Sequence, residues 1–158
     1  MEQGKQNNTK DGLKSRIFIT VGQRVVGRLA LLTIFLLTSC SEIKTNNPQE
    51  TYKYWAGTNP PADIELFNGQ YWRSAHWMLE YIMYLEFKPT EIWWNEFLKK
   101  NNIVEDNNEW KGIPADAPDW FKPSDSFIRY RIESDFDKGS RYFRNKLTGI
   151  CYIYEIQL

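Results

Sequence analysis

Trp77-Met78-Leu79-Glu80-Tyr81-Ile82-Met83-Tyr84-Leu85-Glu86-Phe87 puts Trp77, Leu79, Tyr81, Met83, Leu85 and Phe87 on one phase, with Glu80, Glu86 and Lys88 on the other. Side chains alternate across a strand, so this period of two predicts a long strand with one buried face. A helix competes for the same residues, because Trp77, Glu80, Tyr81, Tyr84 and Lys88 stand at helical spacing. That stripe would mix polar and apolar groups, which is a poorer face to bury. A strand here makes a sheet the frame of the fold.

Downstream, Pro89-Thr90 supplies a stop and an N-cap for Glu91-Ile92-Trp93-Trp94-Asn95-Glu96-Phe97-Leu98-Lys99-Lys100, with acids early and lysines late. Trp93, Trp94, Phe97 and Leu98 fall one turn apart and form a stripe that can lie on a sheet. Residues 103–126 are rich in Asn, Asp, Gly and Pro, and Pro114, Pro118 and Pro123 forbid a long element there, so a long loop is predicted. Phe127–Ile132 reads as a strand with arginines on one face. Tyr142–Asn145 and Ile150–Gln157 read as a hairpin around Lys146-Leu147-Thr148-Gly149. Both phases of Ile150–Gln157 are largely apolar, the mark of a central strand.

Upstream, Ile64–Phe67 and Gln70–Trp72 flank Asn68-Gly69, a dipeptide that favours a tight hairpin turn. Order is expected to begin near Tyr52–Trp55, and residues 40–50 read as a polar, flexible tether. The predicted fold is α+β: a small antiparallel sheet of hairpins with one main helix, about residues 90–100, packed on one face. Residues 51–158 would form that single domain.

Before Cys40, Arg24 and Arg28 precede the apolar run Leu29–Leu37, too short to span roughly 30 Å of hydrocarbon. That pattern predicts a signal peptide over residues 1–39. Residues 1–23 are long for its polar start, and Val21, Val25 or Val26 are alternative translational starts. Leu37-Thr38-Ser39-Cys40 resembles the lipobox of bacterial lipoproteins. The resemblance covers those four residues and the leader, and extends to no characterised family for the domain that follows. It implies cleavage before Cys40, diacylglycerol on its thiol and acylation (palmitate-type) of the new amine. Two or three chains would hold the protein on a membrane. Ser41 follows Cys40 with no Asp, which by analogy with enterobacterial sorting implies the outer rather than the inner membrane, with the domain periplasmic or surface-exposed.

Composition narrows the classes of function. Residues 1–39 hold six Lys and Arg against two acids, leaving 14 basic and 18 acidic residues beyond them. That acidic balance argues against a nucleic-acid partner. His76 is the sole histidine, at the start of a strand, and no second feature makes it a triad member or a ligand. Asp135-Phe136-Asp137-Lys138-Gly139 begins like a calcium loop, but Lys146 stands where a closing carboxylate belongs. Glu80 and Glu86 would lie about 20 Å apart along a strand, too far for a paired-carboxylate mechanism. No metal or cofactor is expected. Cys151, between Ile150 and Tyr152, reads as a small buried hydrophobe.

Aromatic residues make up 23 of the 118 positions from Ser41 onward. Rings filling a small core account for most of them. A partner-binding patch on the 103–126 loop, built from Trp110, Trp120 and Phe121, is the alternative use. The sequence thus predicts a membrane-anchored, non-catalytic domain that binds a protein or an envelope glycan, with an immunity-type or inhibitor lipoprotein as one form. An envelope enzyme on glycans or peptides, or a structural spacer, are the other readings.

Overall fold

A computed structural model describes residues 41–76, 80–134 and 138–157; the leader, Cys40, Trp77–Leu79 and Asp135–Asp137 lie outside the described residues. The strands are β1 (Ile43–Thr45), β2 (Glu65–Arg73), β3 (Tyr81–Lys88), β4 (Ile103–Glu105), β5 (Ile128–Ile132), β6 (Arg141–Arg144) and β7 (Cys151–Gln157). The helices are α1 (Pro48–Ala56) and α2 (Glu91–Lys100). All strands join one antiparallel sheet in the order β1-β2-β3-β7-β6-β5-β4. The fold is α+β, mostly sheet. Among the described residues no helix is long and apolar enough to cross a membrane.

The alternation from Tyr81 onward is that of a strand. Met83, Leu85 and Phe87 enter one core cluster, while Tyr84 enters the other. β7 lies between β3 and β6, as its two apolar phases require. Its hairpin with β6 is closed by Asn145, whose Oδ1 accepts from Leu147 N at 2.9 Å and Thr148 N at 3.2 Å. Cys151 is fully buried there, and burial pushes its thiol well above the usual range.

Three expectations change. Within residues 40–50, predicted as a tether, β1 forms and α1 begins, running on through the expected ordered stretch to Ala56. Asn47 Oδ1 accepts from Gln49 N (2.9 Å) and Glu50 N (3.1 Å), Pro48 opens the helix, and Gly57 (φ 70°) ends it by donating to Lys53 O. The sheet therefore carries two short helices of similar length rather than one main helix. Asn68-Gly69 is no turn: β2 runs straight through it, with a bulge between Leu66 and Asn68. A Cβ on Gly69 would stand 2.7 Å from Pro48 Cα and 2.8 Å from Thr51 Cβ, so the glycine is needed for α1 to approach the strand. The 103–126 loop also begins with a short edge strand, β4, paired with β5.

The two sheet faces carry separate cores. On the helix face Trp94, 1% exposed, meets Phe87 and Tyr130, and Phe97 meets Tyr142. α2 starts at its predicted cap, Thr90 Oγ1 accepting from Trp93 N at 3.2 Å. On the opposite face the 106–127 loop folds over β5, β6 and β7. Phe121 packs edge-on to Tyr84, Phe143 and Tyr152.

Asp106 pins the start of that loop. Its side chain is inaccessible to solvent, and Oδ2 lies 2.9 Å from Arg129 Nε and 2.9 Å from Arg141 Nε, with Oδ1 3.9 Å from Arg131 Nε. The single phase of arginines on β5 thus serves to neutralise a buried carboxylate.

Candidate functional site

The loop leaves β1 and β2 uncovered on its own face, and a groove of about 700 Å³ remains between its edge and the sheet. β1 contributes Lys44 and Thr45, β2 contributes Gln70 and Trp72, β3 contributes Ile82 and Tyr84, and the loop contributes Asp116. Lys44 and Trp72 stand directly opposite each other in the β1–β2 ladder, so both point into the same side.

The floor is organised by neighbours. Trp72 Nε1 donates to Glu42 Oε1 at 2.5 Å, and Glu42 also pairs with Lys44 at 3.0 Å. The indole bond, and then Lys44, hold the Glu42 carboxyl below its ordinary value. Tyr84 stacks on Tyr154 with centroids 5.1 Å apart, and its hydroxyl donates to Asp116 Oδ1 at 3.4 Å. Burial, and secondarily the charge of Asp116, push that phenol upward, so Tyr84 stays neutral and donating. The groove thus offers one indole face for stacking, with the buried Tyr84 ring closing its floor and an amide, a carboxylate and an ammonium at its rim.

No protein-family model, curated protein or solved structure matches the chain.

The residues singled out from the sequence fall outside this groove. Phe121 is 1% exposed and belongs to the core, which removes it from the expected surface patch. Trp110 is half-buried, 5.3 Å from the Phe143 ring, with the Arg129 guanidinium 5.5 Å above it. Trp120 lies edge-on to Phe121 at 6.1 Å. The loop's contribution to the groove is Asp116 instead. His76 is exposed on a bend. Glu86 accepts from Asn68 Nδ2 at 2.7 Å and Tyr152 OH at 2.9 Å, whereas Glu80 precedes β3. Among the described residues no three His, Cys, Asp or Glu side chains gather as metal ligands.

A second cleft, about 420 Å³, opens on the helix face between α1 and α2. Glu155 of β7 lines it and accepts from Trp55 Nε1 (2.7 Å), Tyr81 OH (2.6 Å) and Tyr142 OH (3.4 Å). Sequence reasoning passed over Glu155, although a charge on the inward phase of a central strand is itself a signal, since such a group must be partnered when buried. Trp72, Tyr84 and Lys44 carried no comparable signal.

Proposed function

We propose that this chain is a lipoprotein of the bacterial cell envelope, anchored through Cys40 after loss of residues 1–39, whose β1–β3 groove binds an envelope glycan without transforming it. The lipobox resemblance supports the anchor. The observation that carries the function is the closeness of groove and anchor along the chain. Only Ser41 and Glu42 separate Cys40 from β1, and Lys44 and Thr45 of β1 line the groove. Three residues reach about 10 Å at full extension, so a lipid on Cys40 would hold the groove close to the membrane surface. A ligand displayed at that surface is the one it would meet.

Glycan is favoured over other occupants by the groove's chemistry. The Trp72 indole offers a flat apolar face for a sugar ring, while Gln70, Asp116 and Lys44 offer donors and acceptors for hydroxyls. A binding role is favoured over hydrolysis because the groove lining has a single carboxylate, Asp116, and a glycosidase needs two. By analogy with enterobacterial sorting, Ser41 rather than Asp after Cys40 favours the outer over the inner membrane.

Mass spectrometry of the membrane-fraction protein, wild type against Cys40→Ala, tests the anchor, and sedimentation with purified envelope glycan, wild type against Trp72→Ala, tests the groove. The reading expects acyl chains on a chain starting at Cys40, absent in the variant, and at least a tenfold (about 1.4 kcal/mol) loss of glycan binding for Trp72→Ala. An unmodified soluble chain retaining residues 1–39 would overturn the anchor. Equal sedimentation of both proteins would overturn the groove.

A further inference from the structure

We infer that the cleft between α1 and α2 is a binding site for an organic cation, the alkylammonium group of a small ligand, held against Glu155 by surrounding aromatic rings. Asp106 and Glu155, two carboxylates set into the sheet's two faces, have surroundings that differ in kind, and Glu155 differs from the similarly neutral-bonded Glu86 in lining an aromatic cleft. Asp106 has three guanidinium groups around it. Glu155 has three neutral donors, two phenols and an indole, and none of the ion pairs among the described residues includes it. These donors satisfy its lone pairs but carry no charge of their own; Lys138 lines the neighbouring cleft that Glu155 also borders, and among the described residues no ion pair joins the two. A half-buried carboxylate facing a ring-lined cleft favours a cation that can reach it.

The walls select what kind. Trp55, Trp93, Phe97, Tyr81 and Tyr142 line the cleft with Glu155. Their ring faces carry partial negative charge that attracts a cation without hydrogen bonds. They are also held in place before any ligand arrives. Trp93 stacks on Phe97 at 5.2 Å, and Trp55 and Tyr142 meet Phe97 edge-on at 5.6 and 5.5 Å. A hard metal ion needs several oxygen ligands, whereas this lining offers one carboxylate and mostly rings. An ammonium clothed in methyl or methylene groups matches both features, because its charge faces Glu155 and its hydrocarbon faces the rings.

Choline chloride is the probe, with 3,3-dimethylbutan-1-ol as its neutral isostere. Each is titrated into the full-length protein while the Trp55 indole N–H resonance is followed. Choline should shift that resonance saturably, the neutral isostere should bind roughly tenfold more weakly, and Glu155→Gln should weaken choline by a similar factor. Trp93→Leu should weaken choline while leaving Glu155 and its donors in place. Equal binding of choline and the isostere by the wild type, or no movement of the Trp55 resonance, would overturn the inference even if Glu155→Gln does not fold. Competition by phosphatidylcholine vesicles would assign the ammonium to a lipid headgroup, and its absence would assign it to a free solute; either supports the site. The glycan groove lies on the opposite face, so failure of one reading leaves the other standing.

Discussion

Helices α1 and α2 cover one face of the sheet with backbone whose hydrogen bonds close within each helix, while the 106–127 segment covers the other face as irregular chain. The loop's own backbone bonds are few: Ala117 N to Pro114 O, Phe121 N to Pro118 O and Phe127 N to Ser124 O tie short turns. It is fastened instead by side chains, Asp106 to three arginines at one end and Phe121 in an aromatic nest further on. Regular elements keep their shape when one contact is lost, whereas a loop held at two points does not. Proline supplies the rest, since Pro114, Pro118 and Pro123 restrict the unfolded loop and reduce the entropy it loses on docking.

Breaking the loop's fastening should have the largest effect. Asp106→Ala leaves three arginines around an empty position, and a loss of about 3–5 kcal/mol is expected in denaturant unfolding. Limited proteolysis should then cut within 107–127 before it cuts α1 or α2. A loss under about 1 kcal/mol would show that the arginines are adequately solvated without their acid.

The helix face can be stressed at one atom. Gly69→Ala forces α1 away from β2, because the new methyl meets backbone at Pro48, and about 1–3 kcal/mol is expected. Hydrogen exchange should quicken across Pro48–Ala56 and leave α2 unchanged. Faster exchange in both helices would mean that the face unfolds as one unit.

The smallest effect compares the faces through their phenols. Burial first, then the hydrogen bond and charge of Glu86, push Tyr152 up to about 12. Tyr81 on the other face is also raised, by burial and then by Glu155. The folded protein keeps a proton that the unfolded chain releases near pH 10, so this stability is full below pH ~10 and is lost as pH rises toward about 12. Tyr152→Phe should cost about 1 kcal/mol at neutral pH and make that alkaline decline shallower. An unchanged slope would remove Tyr152 as a contributor.

Much of the framework was legible because it rests on local signals. Thr90 after Pro89 marks the start of α2, and two apolar phases mark β7 as central. Asn68-Gly69 misled because its turn preference is local, while its actual use depends on α1, a partner some twenty positions earlier. The polar run before Tyr52 hid α1 for a related reason: its cap, Asn47-Pro48, was present, but its first turn is polar and the helix buries only Thr51 and Tyr52 fully. The groove was the least legible part. Its lining comes from β1, β2, β3 and the loop, and nothing in the spacing of Lys44, Trp72, Tyr84 and Asp116 announces that they meet.

The strand order also constrains when the chain can fold. β7 follows the other six strands in sequence yet sits in the middle, pairing Cys151 with Phe87 and Gln157 with Tyr81. Until residues 151–157 dock, β3 presents an unpaired edge, and β6 and β5 have no attachment to the β1-β2-β3 half. A chain in which β7 is not yet docked has an open strand edge on each half, and such edges invite pairing with other chains. Joining the halves rests on contacts far apart in sequence, the kind of pairing that slows folding.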